Sequence, residues 1–120
     1  MVFEKEAAPK EKTAFLQWYE VQTEWIEEHG YDDLAVTSSS LRNWFTEMID
    51  TFPPLNCPQN GPLVEADLDD ERAADYTIGC NIMYVCFSWS QTALAHETAA
   101  SLAAKHGLGF FDASWNEIRS

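Results

Sequence analysis

Histidine and cysteine are the residues of this sequence whose side chains could ligate a metal ion. The three histidines, His29, His96 and His106, form no HxxxH or HExxH pattern, and the last two fall on different faces of a helix. The three cysteines include no CxxC pair, so the spacing of a zinc site is missing. The sequence therefore predicts a protein that holds no metal ion and no cofactor.

Serine and cysteine nucleophiles are the next candidates for chemistry. Ser90 stands where a predicted strand meets a predicted helix, but no glycine flanks it, so the G-x-S-x-G pattern of hydrolases is missing. A role as a helix cap accounts for this serine. We interpret Cys80 and Cys86 as small hydrophobic residues, because no basic neighbour could activate the Cys86 thiol. The sequence thus indicates a protein without catalytic chemistry.

An acidic segment follows a cluster of proline, asparagine and glycine in the middle of the chain. Its spacing lacks the Asp-x-Asp-x-Asp-Gly register of a calcium loop, so a solvated surface loop is predicted. We expect the carboxylates of this acidic segment to contact a partner protein. The acidic segment comprises Glu65, Asp67, Asp69, Asp70, Glu71 and Asp75.

The charge balance of the chain restricts its partners. Twenty acidic and 7 basic side chains give a formal net charge of −13 at pH 7. Residues 13–41 contain six acidic and no basic side chains, and residues 43–71 contain seven more, again without a basic one. Nucleic acids and anionic membranes are disfavoured as partners, because both require clustered Lys and Arg. A basic partner protein is favoured, because long-range attraction speeds its encounter with an acidic surface.

Two amphipathic helices are predicted in the first half of the chain. Residues 10–28 place aromatic side chains on one side and glutamates on the other, with Gln22 on the apolar side. Residues 38–52 follow the helical spacing, begin after a cap at Thr37 or Ser38, and end before two prolines. The apolar faces consist of Phe15, Trp18, Tyr19, Val21, Trp25 and Ile26 in the first helix and of Leu41, Trp44, Phe45, Met48, Ile49 and Phe52 in the second.

The second half of the chain predicts a hairpin, a helix and a strand. Residues 75–79 and 82–89 alternate as two strands around a turn at 79–81, with the side chains of Met83, Val85, Phe87 and Trp89 on one face. An alanine-rich helix capped by Ser90 then reaches Lys105, and residues 108–112 return as a strand.

The element order predicts the fold class. With an opening strand over residues 2–6, the order becomes β-α-α-β-β-α-β, which is typical of a ferredoxin-like α+β domain over residues 1–120. We expect an antiparallel sheet with the helices packed on one face. The opening strand would then be central, although Glu4 and Glu6 would share one of its faces.

Several features of the sequence predict a soluble, cytoplasmic protein. An odd number of cysteines favours a reducing compartment over an oxidising one. The first twelve residues contain no apolar stretch of the kind found in signal peptides. No apolar run approaches the roughly 18 residues that a membrane-spanning helix requires.

An alternative function uses the aromatic side chains. A pocket between the sheet and the helices would make the protein a small ligand-binding domain or an enzyme. Its predicted lining residues are Trp18, Gln22, Trp25, Trp44 and Tyr76. Aromatic residues at helical spacing usually form a core, which favours the protein-binding hypothesis. A structural subunit of a homodimer is a third hypothesis.

Several runs of residues carry a resemblance that covers nearly the whole chain. Among them are Tyr31-Asp32-Asp33, Phe52-Pro53-Pro54-Leu55-Asn56, Phe87-Ser88-Trp89-Ser90 and the segment from Lys105 to Asp112. The sequence resembles a family of small, acidic, uncharacterised bacterial proteins. In size and acidity it is similar to the immunity and partner proteins of bacterial polymorphic toxins. The resemblance implies a non-catalytic module that occludes a basic toxin, and it implies no individual site residues.

Overall fold

The computed structural model describes residues 1–23, 33–55, 57–61, 64–67, 70–112 and 117–119. The fold is α+β, with three α-helices and an antiparallel sheet among the described residues. Two short 3-10 turns lie at Leu34–Val36 and Trp89–Gln91. The elements are β1 (Val2–Phe3), α1 (Lys12–Thr23), α2 (Ser39–Met48), β2 (Asp75–Ile78), β3 (Ile82–Cys86), α3 (Thr92–Lys105), β4 (Gly109–Asp112) and β5 (Glu117–Arg119).

The sheet has the strand order β2-β3-β1-β4-β5. It differs from the predicted four strands by β5, which pairs with β4 at one edge. β1 is central and covers only Val2 and Phe3, so Glu4 and Glu6 lie beyond it and their charges are not forced into the sheet. Gly109 faces β1 closely, since a Cβ there would meet the Phe3 ring at 2.3 Å.

Different helices pack on the two faces of the sheet. Along the strands, side chains alternate between the faces. Val2 and Met83 join the core beneath α2 and α3, whereas Phe3 and Ile82 join a second cluster beneath α1. The prediction that all helices pack on one face is therefore wrong, because α1 covers the opposite face. Val2 and Phe3 are each 1% exposed, so both faces of the central strand require a cover.

The larger core lies between the sheet and the helices α2 and α3. The predicted apolar stripe of α2 is confirmed, since all six of its residues are buried. Ser38 is the N-cap of α2, with its Oγ accepting a hydrogen bond from the backbone N–H of Leu41 at 3.2 Å. The helix ends at Met48, earlier than predicted, and a turn carries Phe52 into the core with its N–H bonded to the Met48 carbonyl.

The smaller core lies beneath α1 and is largely aromatic. The Phe15 ring packs against Phe3 at 5.1 Å and against Phe111 at 5.2 Å between ring centroids. Trp18 and Tyr19 pack against this cluster and are partly buried. Val21 is 42% exposed, so its predicted place on the buried face is wrong. The part of the predicted helix beyond residue 23, including Trp25, lies outside the described residues.

The junction between β3 and α3 departs most from the sequence prediction. The strand ends at Cys86, and Trp89 is 93% exposed within the following 3-10 turn. Ser90 lies inside that turn, and Gln91 occupies the N-cap of α3, so the predicted cap is wrong. Cys80 and Cys86 are exposed, which corrects their interpretation as small hydrophobic residues.

The end of α3 follows the prediction. The helix ends at Lys105, and Gly107 adopts a positive φ of 70°, which favours glycine after a helix.

Within the described part of the chain, no helix has both the length and the apolar character needed to cross a membrane.

Candidate functional site

The acidic segment follows α2 on the surface, and its last residue, Asp75, begins β2. The structure describes five of its six residues, and all five side chains are exposed. Asp69 lies outside the described residues. The five exposed carboxylates belong to Glu65, Asp67, Asp70, Glu71 and Asp75.

Backbone hydrogen bonds hold this segment against the turn that follows α2. The N–H of Ala66 donates to the Pro54 carbonyl at 2.7 Å, and the N–H of Ala74 donates to the Pro53 carbonyl at 3.0 Å. Ala74 is fully buried beneath the segment. The carboxylate of Asp70 accepts from the backbone N–H of Arg72 at 2.8 Å. The described acidic side chains are thus exposed, and the backbone of the segment is bonded to the turn at Ala66 and Ala74.

The predicted pocket between sheet and helices does not form as one site. Trp44 and Tyr76 are buried on the side of α2 and α3, whereas Trp18 and Gln22 lie on α1, across the sheet. The prediction fails because it assumed that the two helices share a face. Its fifth residue, Trp25, lies outside the described residues.

The polar atoms of Trp44 and Tyr76 have partners within the core. The Trp44 Nε1–H donates to the Ala99 carbonyl at 3.1 Å, and the Tyr76 hydroxyl donates to the Phe52 carbonyl at 2.7 Å. Burial strongly raises the pKa of Tyr76. Both side chains therefore stabilise the fold and do not present their polar atoms to a ligand.

A cleft that the sequence analysis missed opens where β1 begins. β3 and β4 flank β1, and both strands extend past its start, to Cys86 and Asp112 respectively. A cavity of about 410 Å³ lies there, and we call it the β1 cleft. Its lining includes six aromatic residues, namely Tyr19, Tyr84, Phe87, Trp89, Phe110 and Phe111.

A histidine and a carboxylate meet in the wall of the β1 cleft. The Nδ1 of His96 on α3 lies 2.6 Å from the Oδ2 of Asp112 on β4, and the two side chains are only 9% and 15% exposed. The His96 ring also packs edge-on against Phe110, with 5.3 Å between ring centroids. An imidazole held this way has a fixed ring orientation, because the carboxylate selects the proton position at Nδ1.

Two periodicities could have revealed this pair. His96 lies three and four residues before Ala99 and Ala100, on the buried face of α3. Asp112 follows Phe110 by two residues, so the two side chains share a face of β4. The contact of the two side chains depends on how α3 docks on the sheet, which neither periodicity determines.

The N-terminal amine lies at the base of the β1 cleft. It donates a hydrogen bond to the Phe111 carbonyl at 2.7 Å. Burial lowers the pKa of this amine to about 5, while the nearby Asp112 and Cys86 oppose that shift. At neutral pH the amine is therefore uncharged and adds no positive charge to the cleft.

A second polar group joins α2 to α3 away from the cleft. The carboxylate of Glu47 accepts from the Lys105 ammonium and from the Nε2 of His106. These two hydrogen bonds lower the pKa of Glu47. The group ties the ends of two core helices together, so we interpret it as structural.

Among the residues that the structure describes, no cluster of three or more histidine, cysteine or acidic side chains could hold a metal ion. His29 lies outside those residues. Comparison of the chain with family models, with curated proteins and with solved structures finds no match.

Proposed function

We propose that the protein is a non-catalytic, acidic protein-binding module whose partner presents a basic surface. The observation that carries this proposal is the acidic segment, whose described carboxylates are all exposed on an anchored backbone. An immunity protein that occludes a basic toxin is the kind of function that such a surface supports.

The anchoring of the acidic segment supports this role energetically. A loop that is already ordered loses less conformational entropy on binding than a free loop does. The bonds from Ala66 and Ala74 to the turn at Pro53 and Pro54 hold the segment at these two positions before any partner arrives. Because the net charge is −13, the field around the segment also attracts cationic surfaces before contact.

We infer a reducing, cytoplasmic location for this function. All three cysteines are described, and none of them forms a disulfide. Cys80 and Cys86 are also exposed, so an oxidising compartment would favour their pairing with other thiols.

We also infer that the fold is an elaborated ferredoxin-like arrangement. In this description β1 to β4 form the basic sheet, and α2 and α3 are its two crossover helices on one face. α1 and β5 are then additions, one on the opposite face and one at the edge.

Affinity capture from the lysate of the native cell tests the proposed function. We expect one basic protein to be retained at low salt and released at high salt. A variant with Glu65, Asp67, Asp70 and Glu71 changed to Gln or Asn should not retain it. The outcome that contradicts the proposal is unchanged retention by this variant.

A matched control separates the acidic segment from total charge. Four exposed carboxylates elsewhere are changed to Gln or Asn, so that the control variant has the same net charge as the acidic-segment variant. The control should keep the partner, and an equal loss in both variants would show that the segment has no special part in binding. The control residues are Glu6, Glu20, Asp50 and Glu97.

A further inference from the structure

We propose that a pocket beneath the loop between β1 and α1 binds a free α-amino acid with an apolar side chain. The pocket opens beyond the end of β1, has a volume of about 410 Å³, and is called here the β1–α1 pocket. The proposal does not depend on the acidic segment or on the proposed partner. The apolar floor of the pocket consists of Phe3, Phe15 and Ile118, and its charged rim consists of Lys5, Glu6 and Lys10.

The floor of the pocket accepts an apolar side chain. Phe3 of β1 and Phe15 of α1 pack ring against ring there, with 5.1 Å between centroids, and Ile118 of β5 adds an aliphatic wall. Both rings belong to the smaller core and are at most 2% exposed, so the core holds them in position. A volume of about 410 Å³ is in the range of small-molecule sites.

Hydrogen bonds hold both ends of the loop that forms the opposite wall. At its start, the carboxylate of Glu4 accepts from the Ser38 hydroxyl. At its end, the carboxylate of Glu11 accepts from the backbone N–H groups of Thr13 and Ala14 at 3.0 and 2.8 Å. The loop is thus held at these two positions before a ligand binds, which lowers the entropic cost of binding. Because both carboxylates have partners already, they compete less with a ligand for the lysines of the rim.

The rim carries both signs of charge. Lys5 and Lys10 are exposed, and neither forms an ion pair with any group that the structure describes, whereas Lys105 pairs with Glu47. Glu6 is exposed beside them and likewise has no partner among the described groups. Two ammonium groups can bind one carboxylate, and a glutamate can bind one ammonium group. An α-amino acid presents these two complementary charges on the same carbon atom.

The charge of the whole chain favours a zwitterion over a simple ion. A net charge of −13 opposes the approach of an anion, although Lys5 and Lys10 would attract its carboxylate at short range. A simple cation would be repelled by these two lysines at the rim. A zwitterion has no net charge, so the field of the chain does not oppose its approach. An apolar α-amino acid is therefore the ligand class that satisfies the floor and the rim together.

Three probes with the same phenyl body test the proposal. At pH 7, L-phenylalanine carries both charges, 3-phenylpropionate only the carboxylate, and phenethylamine only the ammonium group. Each is titrated into the ¹⁵N-labelled protein. We expect saturable shifts of the backbone amides of Lys5, Phe15 and Ile118, with L-phenylalanine bound about threefold or more tightly than either analogue. Equal or tighter binding of an analogue, or no saturable shift with L-phenylalanine, would overturn the proposal.

L-Alanine tests the part of the floor, because it keeps both charges and lacks the phenyl ring. We expect it to bind about tenfold or more weakly than L-phenylalanine, since it leaves the apolar floor uncovered. Similar affinities for the two amino acids would contradict an apolar contact in the β1–α1 pocket.

Lysine variants locate the carboxylate of the ligand. A protein with Lys5→Gln and Lys10→Gln should bind L-phenylalanine only as tightly as it binds phenethylamine, and its fold should be retained because both lysines are exposed. The matched control has Lys12→Gln and Arg72→Gln, which remove two exposed positive charges outside the pocket lining. Equal losses of affinity in the two variants would show that only the total charge matters and would contradict the assignment.

A glutamate variant locates the ammonium group. Glu6→Gln should lower the affinity for L-phenylalanine about threefold or more and leave that for 3-phenylpropionate undiminished. Glu97→Gln removes an exposed carboxylate on α3, outside the pocket, and should leave both affinities nearly unchanged. A Glu6→Gln protein that binds L-phenylalanine as tightly as the parent would overturn the assignment of the ammonium group.

Discussion

Trp44 and Tyr76 show which structural features the residue types alone predict. The alternative hypothesis placed both in a pocket, with Trp44 as an aromatic group and Tyr76 as a polar group for a ligand. Inside the core, the indole N–H of Trp44 donates to the carbonyl of Ala99. The phenol hydroxyl of Tyr76 donates to the carbonyl of Phe52. Their burial was predictable from helical spacing and strand alternation, but these long-range partners were not. His96 and Asp112 illustrate the same limit, because only the docking of α3 brings them together.

The buried hydrogen bond of Tyr76 should stabilise the fold. Tyr76→Phe should lower the free energy of unfolding by about 1–3 kcal/mol, because the buried Phe52 carbonyl loses its donor. Urea denaturation measures the change. Tyr84→Phe, at a half-buried position in β3, is the control and should have a smaller effect. Equal stability of the Tyr76→Phe and parent proteins would show that the bond contributes nothing.

The N-terminal amine provides a pH-dependent prediction. Its pKa is about 5 in the folded protein, against an ordinary value of 8.0, because burial disfavours the charged form. Between these two values the unfolded chain binds more protons than the folded chain. This group therefore increases stability as the pH rises from about 5 to about 8, and its contribution is lost as the pH falls through that range.

The amine can be observed directly. With ¹⁵N-labelled methionine, the nitrogen resonance of the amine should titrate near pH 5, far below its midpoint in the urea-unfolded chain. The backbone amide nitrogens of Met48 and Met83 serve as internal controls for general effects of pH. A folded-state midpoint near the ordinary value would mean that the amine is solvated and not buried against Phe111.

At the scale of elements, α2 was predictable from its own residues, whereas the opening strand was expected over residues 2–6 from the element order alone. The stripe of α2 repeats over several turns, and each apolar residue reinforces the same face. β1 has only Val2 and Phe3, too few residues for any periodicity, and its pairing depends on strands far along the chain. The sequence also does not predict which face of the sheet α1 covers. An amphipathic pattern shows which face of a helix is buried, but not against which layer.

Two tryptophans test the packing of α2 by comparison. Trp44 is fully buried in the stripe of α2, and Trp44→Ala should lower stability by about 3–5 kcal/mol through lost contacts and a cavity. Trp89 is 93% exposed, and Trp89→Ala should change stability by about 0.5 kcal/mol or less. Thermal and urea unfolding of both variants measure the difference. Similar small losses in the two proteins would show that α2 does not pack on the sheet as described.

At the scale of the whole molecule, the charge and the fold impose separate constraints. The α+β class followed from the order of helices and strands, which local patterns set. The additional strand β5 and the β1 cleft did not follow, because both result from how the ends of the strands meet. The net charge of −13 does not determine the fold, but its electric field acts on any partner that approaches.

The kinetics of partner association test that long-range action. For the basic partner obtained by capture, we expect the association rate to fall as salt rises, because screening limits attraction to about 8 Å at physiological ionic strength. Changing Glu65, Asp67, Asp70 and Glu71 to Asn or Gln should slow association further than the charge-matched control variant does. Folding should be retained, since exposed charges contribute little to stability.

The change should appear mainly in the association rate, because charges at the rim of an interface act on encounter more than on the docked complex. Binding to the immobilised partner at two salt concentrations separates association from dissociation. Slower association in the acidic-segment variant, with similar dissociation, would fit steering by that segment. An association rate that changes neither with salt nor with the substitutions would remove the electrostatic basis of the proposed function.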